Sequence, residues 1–372
     1  MARTADGRAR ARLGGDAGNS FSRFAASGAQ CRCGTLQKLG IVGYRDPDEI
    51  QELIRRRAIA GVFIPATNVR GLAAAEVRRQ IAAMQEIRRD QPQPLLWIAT
   101  DQEGGDVARL SPPLSRPPRI SEILAHNPNL ADRIAAVRQS AREQSRELAD
   151  LGVNLNFAPV VDVDHGLINP EDWYTHIHQR AISNSYCDGL HEAGVHCTLK
   201  HFPGLGRVFA DTHRGGASLD VSPHELEQTD WVPFRALMAR PDAFTMLGHV
   251  TLTTIDREQP VSFSRAVVAS LLRGHWHYDG VLVTDDFSME AVYRSRAGIA
   301  EAAIAAINAG VDLVLVSYDA DQYYAVMHGL LAAQRDGRLQ PEALRQSDER
   351  LSRAAGTLTR PHPRDTGLSS SR

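Results

Sequence analysis

Eight short apolar runs, all but the fourth followed by a longer segment of helical period, constrain this chain more than any other feature. The runs are Leu39–Tyr44, Gly61–Pro65, Leu95–Thr100, Val153–Ala158, Val195–Leu199, Ala243–Leu247, Val281–Thr284 and Val311–Val316. Between them, helical spacing covers Asp46–Ala60, Ala73–Arg89, Leu130–Leu151, Pro223–Met238, Ser264–Arg273, Gly298–Ala309 and Ala320–Gln334. Asp46 or Asp48 is placed to cap the first helix, and Gly280 and Gly310 fall where a helix should stop or turn into a strand. Strands alternating with helices mean parallel pairing with helices outside. A count of eight selects an α/β fold of the TIM-like (β/α)8 barrel type over an open doubly wound sheet. No Gly-x-Gly-x-x-Gly follows the first run, which argues against a dinucleotide fold.

The alternation occupies residues 37–356, one catalytic-sized domain. The Arg-rich stretch 1–36 reads as a disordered extension and 357–372 as a disordered tail. Charge is nearly balanced, with a net −2 on 372 residues. This favours neither nucleic acid nor an anionic membrane as partner. No apolar run reaches the length of a membrane span, and residues 1–32 lack the apolar core of a secretory signal. The expected location is therefore cytoplasmic. Cys31, Cys33, Cys187 and Cys197 lack zinc-ligand spacing, and free thiols in a reducing compartment are the expectation.

A barrel carries its chemistry at the C-terminal ends of its strands. Those ends read Asp101-Gln102-Glu103, Asp162, Lys200-His201, Gly248-His249, Asp285-Asp286 and Ser317-Tyr318-Asp319. Caps and solvated loops explain one or two such ends, not six. Paired carboxylates and proton carriers of this kind suit glycosidic-bond cleavage, which needs a carboxylate nucleophile and a separate acid. Asp285 directly follows a buried run and is the candidate nucleophile. Asp286 should point away from it and take a capping role. His213, with an ordinary pKa near 6.5, is the candidate acid/base, oriented by Asp211 two residues earlier. Lys200 and His201 are placed to bind sugar hydroxyls, Asp101 to grip a diol, and Arg109 to return to the pocket on a turn of loop. His176-Ile177-His178 and His275-Trp276-His277 have a metal-ligand form, but neither follows a strand run.

These residues carry a resemblance. Asp101–Gly105 with Arg109, Asn156–Pro159 with Asp162, Lys200–Gly204, Asp211-Thr212-His213, Gly248–Val250, Asp256 and Thr284–Asp286 with Ser288-Met289 occur in one order. In that order they resemble glycoside hydrolase family 3 of the single-domain β-N-acetylglucosaminidase type. The resemblance implies a TIM-like barrel without the family's C-terminal α/β sandwich domain, and no metal or other cofactor. It implies a retaining two-step mechanism with Asp285 as nucleophile and His213 as acid/base. The substrate implied is a terminal β-linked N-acetylglucosamine on a small oligosaccharide or muropeptide, from peptidoglycan fragments or chitooligosaccharides. A phosphate-dependent phosphorylase and a non-catalytic sugar-binding relative remain as alternatives. The chain departs from the pattern over 164–184. There Arg180-Ala181-Ile182-Ser183 is the nearest match to the family's binding-arginine motif, and the helix after it reads about ten residues short.

Overall fold

The structure, a computed structural model, describes residues 39–163, 173–208, 215–295 and 298–357, side chains of 173–177 excepted. The extension over 1–36, the tail beyond Thr357, Cys31, Cys33, Asp211 and His213 all lie outside the described residues.

Eight parallel strands form one sheet: β1 (Gly40–Gly43), β2 (Gly61–Phe63), β3 (Trp97–Thr100), β4 (Leu155–Asn156), β5 (Cys197–Phe202), β6 (Ala243–Leu247), β7 (Leu282–Asp286) and β8 (Leu313–Val316). Their spatial order is β4-β3-β2-β1-β8-β7-β6-β5. The two end strands then meet through parallel bridges at Leu155–His196 and Val160–Lys200, which close the barrel. Closure is reinforced by backbone bonds from His196 N to Asn154 O (3.0 Å) and from Val161 N to Lys200 O (2.7 Å). The TIM-like reading therefore holds.

Each strand is followed by its helix: α1 (Pro47–Arg55), α2 (Ala74–Arg89), α3 (Leu130–Leu151), α4 (Trp173–His191), α5 (Trp231–Leu237), α6 (Ala266–His275), α7 (Gly298–Ala309) and α8 (Gln322–Arg335). Asp46 caps α1 by accepting from Asp48 N and Glu49 N, and Ile50, Leu53 and Ile54 bury its inner face. Gly310 ends α7 in a left-handed conformation at φ 106°, which costs glycine no steric strain.

The segment Pro223–Met238 was expected as one helix but breaks at Thr229-Asp230 into Pro223–Gln228 and α5. The fully buried Asp230 carboxylate receives Arg207 Nε at 2.9 Å. A buried carboxylate needs such a partner, and reaching it interrupts the helix.

The barrel interior is packed with Ile41, Phe63, Trp97, Leu155, Phe157, Phe244, Met246, Val283 and Leu315. Phe63 stacks on Phe157 at 5.8 Å, and Trp97 meets Phe244 edge-on at 5.0 Å. A ninth helix, α9 (Pro341–Gly356), crosses the N-terminal end of the barrel, where Leu351 and Ala354 join the interior cluster. Its Arg350 Nε binds Asp312 Oδ1 at 2.9 Å, just before β8, and Arg353 binds Asp279 Oδ2 at 2.6 Å, just before β7. The lower end is thus closed, and the strand C-termini form the open mouth.

The free-thiol expectation is corrected at two positions. Cys187 near the end of α4 and Cys197 at the start of β5 form a disulfide, with Cα atoms 5.4 Å apart. The helix turns sharply into the strand through Gly194 at φ 78°, which brings two side chains ten residues apart face to face within the outer core. Spacing motifs alone do not reveal such a pairing. Among the described residues, no helix is long and apolar enough to cross a membrane.

Candidate active site

Within the barrel sheet the register slips in two places. Between β5 and β6 the pairs run Leu199–Thr245 and then Phe202–Leu247, so Lys200-His201 oppose one residue. Between β7 and β8 they run Val283–Leu313 and then Asp286–Leu315, so Thr284-Asp285 do the same. Such bulges re-aim side chains and locally sharpen twist. Both therefore fall on residues singled out by sequence. Leu315 N, displaced from an ordinary ladder, donates to Thr284 Oγ1 at 3.0 Å.

In β5, His201 is the one position that is not buried, and in β7 that position is Asp285. The rest of each strand is locked in the core, so each carries one open ionisable group on a rigid support.

Lys200, 4% exposed, places its ammonium 2.9 Å from Asp101 Oδ1 and 2.6 Å from Glu103 Oε1. Burial works against its charge, but the two carboxylates outweigh that and raise its pKa. The two carboxylates take two of the three N–H groups of the ammonium. His201 accepts the same logic. Its Nδ1 lies 2.9 Å from Asp162 Oδ2, and its backbone N–H donates to Asp162 Oδ1 at 3.0 Å. Burial would lower its pKa; the Asp162 charge and hydrogen bond, then Asp285, overcome this and raise it. Asp162 thus holds Nδ1 and leaves Nε2 as the ring's other nitrogen.

Asp285 stays ionised in this surrounding. Burial pushes its pKa up, yet the His201 charge, the Asp286 backbone N–H at 2.8 Å and Lys200 bring it below the ordinary carboxylate range. His249, wholly buried, follows Gly248 at the end of β6. Its Nε2 lies 2.9 Å from the Asp286 carbonyl and its Nδ1 2.8 Å from Ser262 Oγ. A carbonyl only accepts, so Nε2 carries the proton and Nδ1 accepts from the serine. Burial lowers its pKa, which keeps the ring neutral.

Asp286 was expected to cap the next helix; the helix Glu290–Tyr293 has no side-chain cap, and Asp286 instead ties the end of β7 to the loop after β8. Its Oδ1 accepts from Ser288 N (2.9 Å) and Ser317 N (3.0 Å), and its Oδ2 from Ser317 Oγ (2.6 Å) and Tyr318 N (2.7 Å).

Asp101 leads into a hairpin in which Gln102–Gly104 pairs antiparallel with Val107–Ala108. Gly104 turns it at φ 112°, and a Cβ there would come within 2.3 Å of the Pro118 carbonyl. The hairpin returns Arg109 to the site, its N–H donating to Asp101 O at 3.0 Å and its side chain exposed. Asn156 brackets Gln102, accepting from its N–H at 2.9 Å and donating to its carbonyl at 3.0 Å.

The described residues on either side of 209–214 are anchored. Arg207 pairs with Asp230 and, at 2.7 Å, with Glu225. Ala217–Leu219 forms a parallel two-stranded sheet with Val250–Leu252. Among the described residues no cluster of His, Cys, Asp and Glu could hold a metal ion, and His275 and His277 lie exposed between α6 and β7, away from the mouth.

A family model described as the glycosyl hydrolase family 3 N terminal domain matches residues 34–354. The chain belongs to glycosyl hydrolase family 3. A β-hexosaminidase of Tolumonas auensis is 34% identical over 298 residues, spanning 78% of this chain and 85% of the relative. The β-hexosaminidase LpqI of Mycobacterium tuberculosis is 30% identical over 342 residues, 88% of this chain and 82% of that one. The solved structure of M. tuberculosis LpqI superposes with a TM-score of 0.75 at 29% identity, covering 92% of this chain and 97% of that one. A family 3 β-N-acetylglucosaminidase from Paenibacillus sp. gives 0.79 at 29% identity, and this chain covers 91% of itself and 65% of that longer chain.

This family 3 chain is a glycoside hydrolase, and sequence reasoning gathered most of its mouth. Asp101, Lys200, His201 and Asp285 lie at the C-terminal ends of β3, β5 and β7, and Arg109 is tied to Asp101 through its backbone N–H alone, its side chain exposed. Among the described residues, Arg180 makes no hydrogen bond or ion pair with them. It sits exposed inside α4, which starts at Trp173 and so recovers its length upstream of Arg180 rather than after it. Three contributors had no assigned role from sequence: Glu103, Asp162 and His249. Glu103 could have been found by period two, because it must share a face with Asp101 on an extended segment.

Proposed function

We propose that this family 3 chain is a retaining exo-β-N-acetylglucosaminidase acting on terminal β-linked N-acetylglucosamine in peptidoglycan fragments or chitooligosaccharides. Asp285 attacks the anomeric carbon while the glycosidic oxygen leaves with a proton from His213, giving a covalent glycosyl-enzyme. Water then attacks that carbon, His213 takes its proton back, and Asp285 departs as carboxylate. Asp211 holds the His213 ring. Lys200, His201, Asp101 and Arg109 bind the sugar, with Arg180 as a further binding candidate. The observation that carries the reading is Asp285: on the one open position of a buried strand, with its pKa held below the ordinary carboxylate range by His201 and other groups of the mouth, Lys200 among them.

The test is release of p-nitrophenol from its β-N-acetylglucosaminide, with the anomer of the first-formed sugar followed by proton NMR. The native chain should release the β-anomer first. Asp285→Ala should lower kcat by at least about a thousandfold, as loss of a nucleophile does. Undiminished turnover in that variant, or first release of the α-anomer, sinks the assignment.

A further inference from the structure

Two large hydrophobic side chains are exposed among the described residues, Tyr318 at 92% and Tyr293 at 38%. Both stand at the mouth. Tyr293 ends the short helix Glu290–Tyr293 after β7, and Tyr318 lies two residues beyond β8. β7 and β8 are neighbours in the barrel.

The backbone at Tyr318 is pinned while its ring is left free. Its N–H donates to Asp286 Oδ2 at 2.7 Å. Ser317 before it donates twice to the same carboxylate, and Asp319 N after it donates to Ser288 Oγ at 3.1 Å. Among the described residues the phenol takes no hydrogen bond and the ring has no aromatic partner. A fixed backbone presenting a bare aromatic face loses little freedom when something stacks on it.

The two sides of Asp285 differ in chemistry. Asp101, Asp162, Lys200, His201 and His249 come from the ends of β3 to β6, on one side. The tyrosines come from the loops after β7 and β8, on the other. A sugar gripped by the polar side, with its anomeric carbon at Asp285, directs its leaving group towards the aromatic side. Pyranose rings have an apolar C–H face that suits a tyrosine ring.

We infer that Tyr318, flanked by Tyr293, forms the binding platform for the leaving sugar, so that the site selects saccharide leaving groups. This rests on the activity proposed above, but its test does not need turnover. In an Asp285→Asn background, calorimetry would compare binding of N,N′-diacetylchitobiose with that of N-acetylglucosamine. Tyr318→Ala should weaken the disaccharide about tenfold, close to 1.4 kcal/mol, and leave the monosaccharide unchanged; Tyr318→Phe should bind both as the parent does. Equal weakening of both ligands, or no weakening of either, overturns the inference, as does a parent that fails to prefer the disaccharide. If the native chain hydrolyses nothing while disaccharide binding still depends on Tyr318, the hydrolytic reading fails and the platform stands.

Discussion

At the scale of single residues, the site is a balance of charges that titrate in opposite directions. His201 has a pKa raised above its ordinary value, so the folded chain holds that proton more tightly than the unfolded chain. Its contribution to stability is complete below about pH 6.5 and fades as pH rises through the raised value. Asp285 is the reverse case: its lowered pKa contributes stability above about pH 3.9, lost as pH falls through the folded value. Replacing His201 by Gln should therefore cost more melting temperature at pH 6 than at pH 9. An equal cost at both pH values would show that the His201 proton is not held by Asp162 and Asp285. Much of this cluster was legible, since Asp101, Lys200, His201 and Asp285 each end an apolar run. The partnerships were not. That Asp162 serves His201, and Glu103 serves Lys200, depends on which strands adjoin and how far each extends.

At the scale of elements, Asp286 joins two strand ends. It accepts the backbone N–H groups of Ser288, Ser317 and Tyr318, so β7 and the loop after β8 share one carboxylate. Asp286→Ala strands these donors in a poorly hydrated place, at about 1–3 kcal/mol for each left unpaired. The variant should lose roughly 3 kcal/mol of stability in urea unfolding, by the same range, and lose activity through displacement of Asp285. Asp285→Asn, by contrast, forfeits only the charge interactions that lower the Asp285 pKa, and should lose activity with a smaller fall in unfolding midpoint than Asp286→Ala. Equal stability of the two variants would show that Asp286 clasps nothing. Period-two alternation was enough to separate the two aspartates by role. It was not enough to place the bulges at Lys200-His201 and Thr284-Asp285. β5 was expected to stop at Leu199 and instead runs to Phe202, because acidic partners from β3 and β4 let a polar pair stay in the ladder. α3 and α7, whose caps and apolar faces are local, match their expected bounds.

At the scale of the whole molecule, the eightfold alternation gave no sign of α9, which follows the last barrel unit and repeats nothing. Its signature was local: Pro341 at the first turn, then Leu344, Leu351 and Ala354 on one face. The helix matters because it closes the end of the barrel opposite the site. Asp312, fully buried, takes Arg350 Nε on Oδ1, while Arg273 Nη2 and Leu282 N bind Oδ2, each at 2.8 Å. Arg350→Ala removes one of two guanidinium partners from a carboxylate that water cannot reach. Breaking a buried pair costs about 3–5 kcal/mol, and the surviving Arg273 places this case at the lower end. A domain of this size should then melt roughly 5 °C lower. KM and kcat below the transition should stay native, because the strands transmit no change of register from the plug to the mouth. A loss of kcat/KM at temperatures where the variant is fully folded would mean that α9 holds the mouth in shape as well as sealing the base. Native melting would mean that Arg273 alone satisfies Asp312 and the plug is held by Leu351 and Ala354.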